Sequence, residues 1–288
     1  RYRAPYLGSL AFCGRFDPAL LDRADADGIT MADAFRGFGV DPAAIGAAAR
    51  PRGSVAAYVE VHIEQGPLLE SWGAPVGVVE AIAGQSRLWV SFEGGAGHAG
   101  TTPMDRRRDP LPAAAELVLE VERIARSADG LRGTVGSIGA EPGASNVIPR
   151  RASLSLDVRH AEDATRERAL ADLLGFAGSV AARRGLGFRV DRQEHHRAVT
   201  VDRRLGELLA SAVRDMGVEP RRLVSGAGHD AAVMATLAPM AMLFVRSPGG
   251  ISHHPAESVR RDDVVVALDV LVRFLAVLSN DPPTAGGA

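Results

Sequence analysis

The chain has no lysine, and all 33 of its basic residues are arginine. That excludes a lysine Schiff base or a lysine nucleophile. Cysteine is nearly as scarce. Cys13 is the single one, so no disulfide can form within the chain and a reducing cytoplasm is the expected location. It lies between Phe12 and Gly14 with no histidine close in sequence, which suits a buried structural thiol better than a nucleophile. Aromatic residues make up 5% and the formal net charge is −2, so the chain offers neither the stacking platforms nor the basic surface of a nucleic-acid module. No apolar run approaches the roughly 18 residues that span a bilayer, and no charged-then-apolar signal opens the chain. No membrane partner is expected.

What is present is an ordinary globular composition. With 288 residues, 46% hydrophobic and 24% charged, there is apolar material for about two cores. Residues 1–54 are rich in turns. Thr30 can cap a short helix over Met31 to Phe38, and Asp41-Pro42 opens another through Ala49. Val55–Ile63 is a β-branched and aromatic run closed by Gly66-Pro67, hence a strand. A short helix from Pro67 to Trp72 follows, then an apolar run Pro75–Ile82. From Arg87 the order becomes β-α-β-β-α-β: strand 88–92, helix 109–128, strands 131–138 and 150–159, helix 162–184 and strand 187–194. In the third of these strands Ala152, Leu154, Leu156 and Val158 alternate with Ser153, Ser155, Asp157 and Arg159. One apolar and one polar face suit a small antiparallel sheet with both helices on one side. Past a second crossing near 197–201 come helix 202–216, a Gly-rich turn opening a helix through Leu237, the apolar strand 240–245, the loop 247–257 and an amphipathic helix 262–278.

Five polar clusters punctuate this pattern. His62-Ile-Glu-Gln65-Gly-Pro ends a strand, where ligands collect in α/β folds. His98 stands in Gly94-Gly-Ala-Gly-His-Ala-Gly-Thr-Thr-Pro-Met104, on a close-approach backbone; a plain Gly-rich hairpin is the alternative. Asn146, within Gly143-Ala-Ser-Asn-Val-Ile-Pro149, is followed by Asp157-Val-Arg159. An arginine on a rigid strand beside an amide suits bidentate capture of a carboxylate, or else Arg159 simply pairs with Asp157. Ser225-Gly-Ala-Gly-His229-Asp230 opens a helix, with Asp230 as the expected cap and His229 a candidate polar contact. In Gly249-Gly-Ile-Ser-His253-His254-Pro-Ala-Glu257 two histidines follow a buried strand; if that segment is extended, only one of them can face a ligand.

Together these clusters resemble the hydantoinase/carbamoylase amidases, a branch of the M20-type metallohydrolases, over about residues 1 to 279. The resemblance implies a two-metal, aminopeptidase-like α/β/α catalytic domain interrupted by a ferredoxin-like α+β lid and dimerisation domain. Residues 1–86 then complete the first half of the catalytic domain, 87–198 form the lid, 199–279 return to the catalytic domain, and 280–288 are a disordered tail. The implied activity is hydrolysis of the C–N bond of a ureido or carbamoyl group on a small carboxylate, of the N-carbamoyl-amino acid or allantoate type. Carried over by position, His62 and His253 are ligands of the two divalent metal ions (zinc, or manganese, cobalt or nickel), and Gln65 contacts the substrate amide. His98 is the catalytic hydrogen-bond donor to the oxyanion, Asn146 and Arg159 hold the substrate carboxylate, and His229 lines the pocket. Lid closure would exclude water, and a homodimer through the lid is implied.

The family's pattern also has an upstream His-x-Asp pair and a Glu-Glu pair carrying the bridging ligand and the general base. Residues 1–61 contain no histidine and no adjacent carboxylates. Each metal would keep one protein ligand, so the expectation is the C-terminal portion of a longer enzyme, weak in metal binding and inactive by itself. Two rival readings are an M20 peptidase or aminoacylase and a non-catalytic dimerising scaffold.

Overall fold

The structure, a computed structural model, describes residues 1–280. In chain order its principal elements are α1 (Leu7–Phe12), α2 (Met31–Gly37), β1 (Tyr58–Ile63), α3 (Leu68–Ser71), β2 (Val76–Ile82), β3 (Gly84–Glu93), β4 (Gly97–His98), α4 (Pro110–Ala125), β5 (Arg132–Glu141), β6 (Val147–Ile148), β7 (Arg151–His160), α5 (Asp163–Arg184), β8 (Gly187–His196), β9 (Val199–Thr200), α6 (Arg203–Asp215), β10 (Arg221–Ser225), α7 (Asp230–Met234), β11 (Met240–Val245) and α8 (Arg261–Asn280). They fall into two compact units: residues 1–82 with the chain from Thr200 onward, and Ala83–Val199. The second unit therefore starts at Ala83 rather than Arg87, because β3 begins at Gly84. Asn280, expected in a disordered tail, closes α8; residues 281–288 lie outside the described residues. Among the described residues no helix is long and apolar enough to cross a membrane.

The first unit is built on a mixed sheet in the order β1-β11-β2-β10. β1 and β11 run parallel, β11 and β2 antiparallel, and β2 and β10 parallel. β11 is buried along its whole length, as an all-apolar run in the middle of a sheet must be. Against β2 and β11 pack α6 and α8. α6 is capped by the Asp202 side chain, which accepts from the Leu205 amide at 2.9 Å, and buries Leu205, Leu209, Ala212 and Val213 at helical spacing. α8 buries Ala267, Val270 and Phe274 together with Asp263. Asp263 receives both arms of the Arg246 guanidinium, at 2.6 and 2.9 Å, pinning the helix start to the end of β11. The strand β10 lay unrecognised in the sequence because Arg221 and Arg222 open it and only Leu223 and Ser225 are buried.

The second unit is an antiparallel sheet in the order β5-β7-β3-β8 with α4 and α5 packed on it. This is the β-α-β-β-α-β order expected from the sequence. The alternation along β7 holds without exception from Ala152 to Val158, the apolar set buried and its polar neighbours partly exposed. Leu88, Val90 and Phe92 from β3 meet Leu117 and Val121 from α4 and Leu173 and Val180 from α5 in one core. At the edge of that core Arg166 is only 2% exposed; it donates to Asp163 at 2.6 Å and to the His196 carbonyl at 2.7 Å. Gly84 lies so close that a Cβ there would stand 2.0 Å from the Arg166 guanidinium, so this position accepts only glycine. A two-stranded ribbon, β4 with β6, completes the unit.

Candidate active site

In the first unit β1 and β11 run parallel with His62 opposite Phe244 and Ile63 opposite Val245, so the loops that follow them leave the same edge of the sheet. Those loops are the two carrying His62-Ile-Glu-Gln65-Gly-Pro and Gly249-Gly-Ile-Ser-His253, and they are tied together. The Gln65 backbone amide donates to Ser247 Oγ at 3.1 Å, and Gln65 Nε2 donates to Ser252 Oγ at 2.9 Å. A Cβ on Gly250 would lie 2.9 Å from the Gly66 carbonyl carbon; the absence of a side chain lets the two backbones touch. Gln65 and His253 both adopt left-handed conformations, φ +57° each, a strain that non-glycine residues carry only where the surroundings hold them. The His253 amide donates to Glu257 Oε2 at 3.1 Å. The 253–254 pair is thus not extended, and the alternation argument applied to it from sequence does not hold.

His62 Nδ1 lies 2.8 Å from the Ile63 carbonyl. A carbonyl only accepts, so Nδ1 carries the proton and Nε2 keeps its lone pair. Glu64, next in the motif, is committed elsewhere: its two oxygens accept from the Leu68 and Leu69 amides at 2.7 and 2.8 Å, capping α3. His229 is buried, 3% exposed. Its ring meets His62 edge-on, centroids 4.7 Å apart at 77°, and both rings pack on Phe244. Both its nitrogens are held by the protein, Nδ1 by Glu60 Oε1 at 3.2 Å and Nε2 by Ser225 Oγ at 2.6 Å. It is His229, not Asp230, that occupies the cap position of α7; Asp230 is the first helical residue and accepts from Ser9 Oγ at 2.5 Å. Burial pushes the Glu60 carboxyl up, but hydrogen bonds from His229, the Ala231 amide and Tyr58 outweigh it and hold it below the usual carboxylate value. Burial, with Glu60 alongside, pushes the Tyr58 hydroxyl up.

Among the described residues no three His, Cys, Asp or Glu side chains gather where they could hold a metal ion. His62 and His253 share a sheet edge, but two imidazoles are fewer than the three or four protein ligands of a zinc centre. The residues present do not by themselves make up a metal site.

In the second unit the strands β4 and β6 bring His98 and Asn146 together. His98 stands opposite Val147, and the Ala99 amide donates to the Asn146 carbonyl at 2.9 Å. The Gly100 amide donates to His98 Nδ1 at 3.1 Å. Nδ1 therefore accepts, and the exposed ring offers its proton at Nε2. Arg107, which nothing in the sequence singled out, braces this loop by donating to the Ala99 and Thr102 carbonyls at 2.5 and 3.0 Å. Arg159 stands on a different sheet, on the polar face of β7, opposite Gln85 of β3. It donates to both oxygens of Asp157, at 2.7 and 2.8 Å. Asp157 also accepts from Gln85 Nε2 at 2.9 Å and Arg87 Nε at 3.0 Å. Gln85 is thereby held in this cluster. Burial pushes the Asp157 carboxyl up, and the hydrogen bonds from Arg159 and Arg87 more than reverse it, leaving it below its usual value.

The residues that sequence reasoning missed include Glu60, Arg107, Ser225 and Ser252. For Glu60 a signal was available: Tyr58, Glu60 and His62 alternate along one strand and so share a face.

The family described as "Peptidase family M20/M25/M40" matches residues 17–277. The chain is 40% identical over 273 residues to an N-carbamoyl-L-amino acid amidohydrolase of Geobacillus stearothermophilus, covering 94% of this chain and 66% of that protein. It is 38% identical over 304 residues to an allantoate deiminase of Arabidopsis thaliana, covering 96% of this chain and 58% of that one. The crystal structure of an amidase of the hydantoinase/carbamoylase family from Burkholderia multivorans superposes with a TM-score of 0.87 at 34% identity, covering 97% of this chain and 68% of the other. The chain thus spans about 58–66% of the length of these two curated relatives. With the motif-bearing loops in place, the matched span and these likenesses establish that the chain belongs to the M20/M25/M40 peptidase family, among its hydantoinase/carbamoylase amidases.

Proposed function

We propose that the protein serves hydrolysis of the C–N bond of a ureido or carbamoyl group on a small carboxylate, of the N-carbamoyl-amino acid or allantoate type. The observation that carries this reading is the pairing of the His62 and His253 loops at one sheet edge, locked by Gln65 on Ser247 and Ser252, in a chain whose relatives bear those activities in their names. For Arg159 and His98 the local hydrogen bonding supports the proposed roles. Arg159, squared on its strand by Asp157, and Asn146 hold the substrate carboxylate. His98, with its proton at Nε2, donates to the oxygen that becomes negative as the carbonyl is attacked. Gln65 meets the substrate amide, His62 and His253 are the metal-facing imidazoles, and His229 lies behind His62. Two divalent ions, zinc or manganese, cobalt or nickel, are the proposed cofactor of the activity. Since the described residues do not complete a metal centre, no hydrolytic step is assigned to these 288 residues alone. A homodimer through the edges of the β5-β7-β3-β8 sheet and a cytoplasmic location suited to the lone Cys13 belong to the same proposal.

The experiment is ligand binding and turnover with this polypeptide. An N-carbamoyl-L-amino acid or allantoate should bind, and Arg159→Ala should weaken it about tenfold or more, the size of one charge-assisted contact. Zinc should bind weakly and turnover should be absent or slight. Preference for an N-acetyl over an N-carbamoyl amino acid would overturn the substrate assignment, and tight stoichiometric zinc with turnover would overturn the account of the metal.

A further inference from the structure

Three groups behind His62 form a chain that the proposed activity does not use. Glu60 accepts from Tyr58 Oη at 3.1 Å and from the Ala231 amide at 2.8 Å, and its other oxygen faces His229 Nδ1 at 3.2 Å. On the far side of the ring, His229 Nε2 is 2.6 Å from Ser225 Oγ, which itself accepts from the Ala227 amide at 3.2 Å. An ionised carboxylate only accepts, so Nδ1 carries the ring proton. Nε2 is then the acceptor and the Ser225 hydroxyl the donor, at 2.6 Å against 3.2 Å to the Ala227 carbonyl.

Serine, histidine and glutamate in this order are the members of a nucleophilic triad. Burial rules that use out: Ser225 is 1% exposed and His229 3%, so no acyl or ureido carbon can approach Oγ. What remains is orientation. A ring bonded at both nitrogens cannot flip without breaking two buried hydrogen bonds, and this fixed ring lies edge-on against His62, whose other side is held by its own bond to the Ile63 carbonyl.

We propose that Glu60 and Ser225 are positioning residues: they lock His229 with its proton on Nδ1 and, through the His229 ring, hold His62 in the orientation that leaves Nε2 available. The proposal rests on the reading of His62 as a site residue and adds to it what keeps that side chain in place.

The test is long-range proton–nitrogen NMR on the full chain labelled with nitrogen-15 at histidine, the signals assigned by single histidine substitutions. In the wild type His229 and His62 should each show one tautomer, protonated at Nδ1. Glu60→Gln should cost His229 its single tautomer and shift or double the His62 signals, while Glu122→Gln, exposed on α4, leaves both as they were. Ser225→Ala should keep His229 protonated at Nδ1 but broaden or double both rings, and it supplies the same readout if the Glu60 variant does not fold. A wild-type His229 protonated only at Nε2, or His62 signals unmoved in the folded variants, overturns the proposal. Failure of the amidase reading is distinguishable, because it would show as absent binding of ureido carboxylates with this NMR pattern intact.

Discussion

In the second unit the sheet has one face covered by α4 and α5, and the buried apolar residues between them, 0 to 8% exposed, form a single core. The first unit carries a long exposed apolar stripe on one of its helices. Among the described residues β1 pairs only with β11. Its even-numbered residues bond that way, as the Tyr58 and Glu64 amides show, so Val59, Val61 and Ile63 direct their backbone groups outward. α8 buries one stripe on the sheet and presents another, Val265, Leu268, Val272, Leu275 and Val277, to the outside. Among the described residues both sheets end in strands with a single partner, β1 in the first unit and β5 and β8 in the second, and what sets the first unit apart is the long exposed apolar stripe of α8. The candidate imidazoles of the first unit therefore share their unit with a larger exposed apolar surface than the polar cluster around Asp157 does.

That contrast can be broken or sharpened by substitution. The largest effect is expected in the closed core. Leu156→Ala, at a position 2% exposed, should cost about 2–5 kcal/mol, read as a loss of denaturation midpoint. Val61→Ala at the open edge, 40% exposed, should stay within about 0.5 kcal/mol. Equal costs at the two sites would abolish the distinction. Next comes the Asp157 cluster. A carboxyl held below its unfolded value contributes stability that is fully present above about pH 3.9 and is lost as pH falls through its folded value. Asp157→Asn should therefore lower stability by about 1–2 kcal/mol near neutrality, with the two proteins converging in acid. A constant gap from pH 7 to pH 2 would count against this assignment. The smallest stability effect belongs to α8: Leu268→Glu should change stability by about 0.5 kcal/mol or less while reducing concentration-dependent association in light scattering, and unchanged association would show that the exposed stripe is inert.

Much of the second unit could be read before any coordinates. The alternation in β7 decides which of its residues face a core, and Asp109-Pro110 marks the start of α4 as a side-chain cap on the Leu111 amide. The same logic failed at β10, where paired arginines disguise a strand, and at His253, where a left-handed backbone replaces the extended one assumed. Of the site, the motif residues stood out as types. Their partners did not. Ser252 gains meaning only once Gln65 reaches it across 187 positions, and Glu60 only once the helix of Asp230 delivers His229 to it.

Local order and residue type were written in the sequence: which runs are strands, where the helices start, and which loops are rich in histidine and glycine. Periodicity and capping act between residues a few positions apart, so one dimension carries them. The tautomer of His62, the burial of His229 and the double grip of Asp157 on Arg159 and Arg87 arise from groups that meet only when strands pair. Hydrogen bonds and burial depend on distance in space, and the fold alone sets that distance.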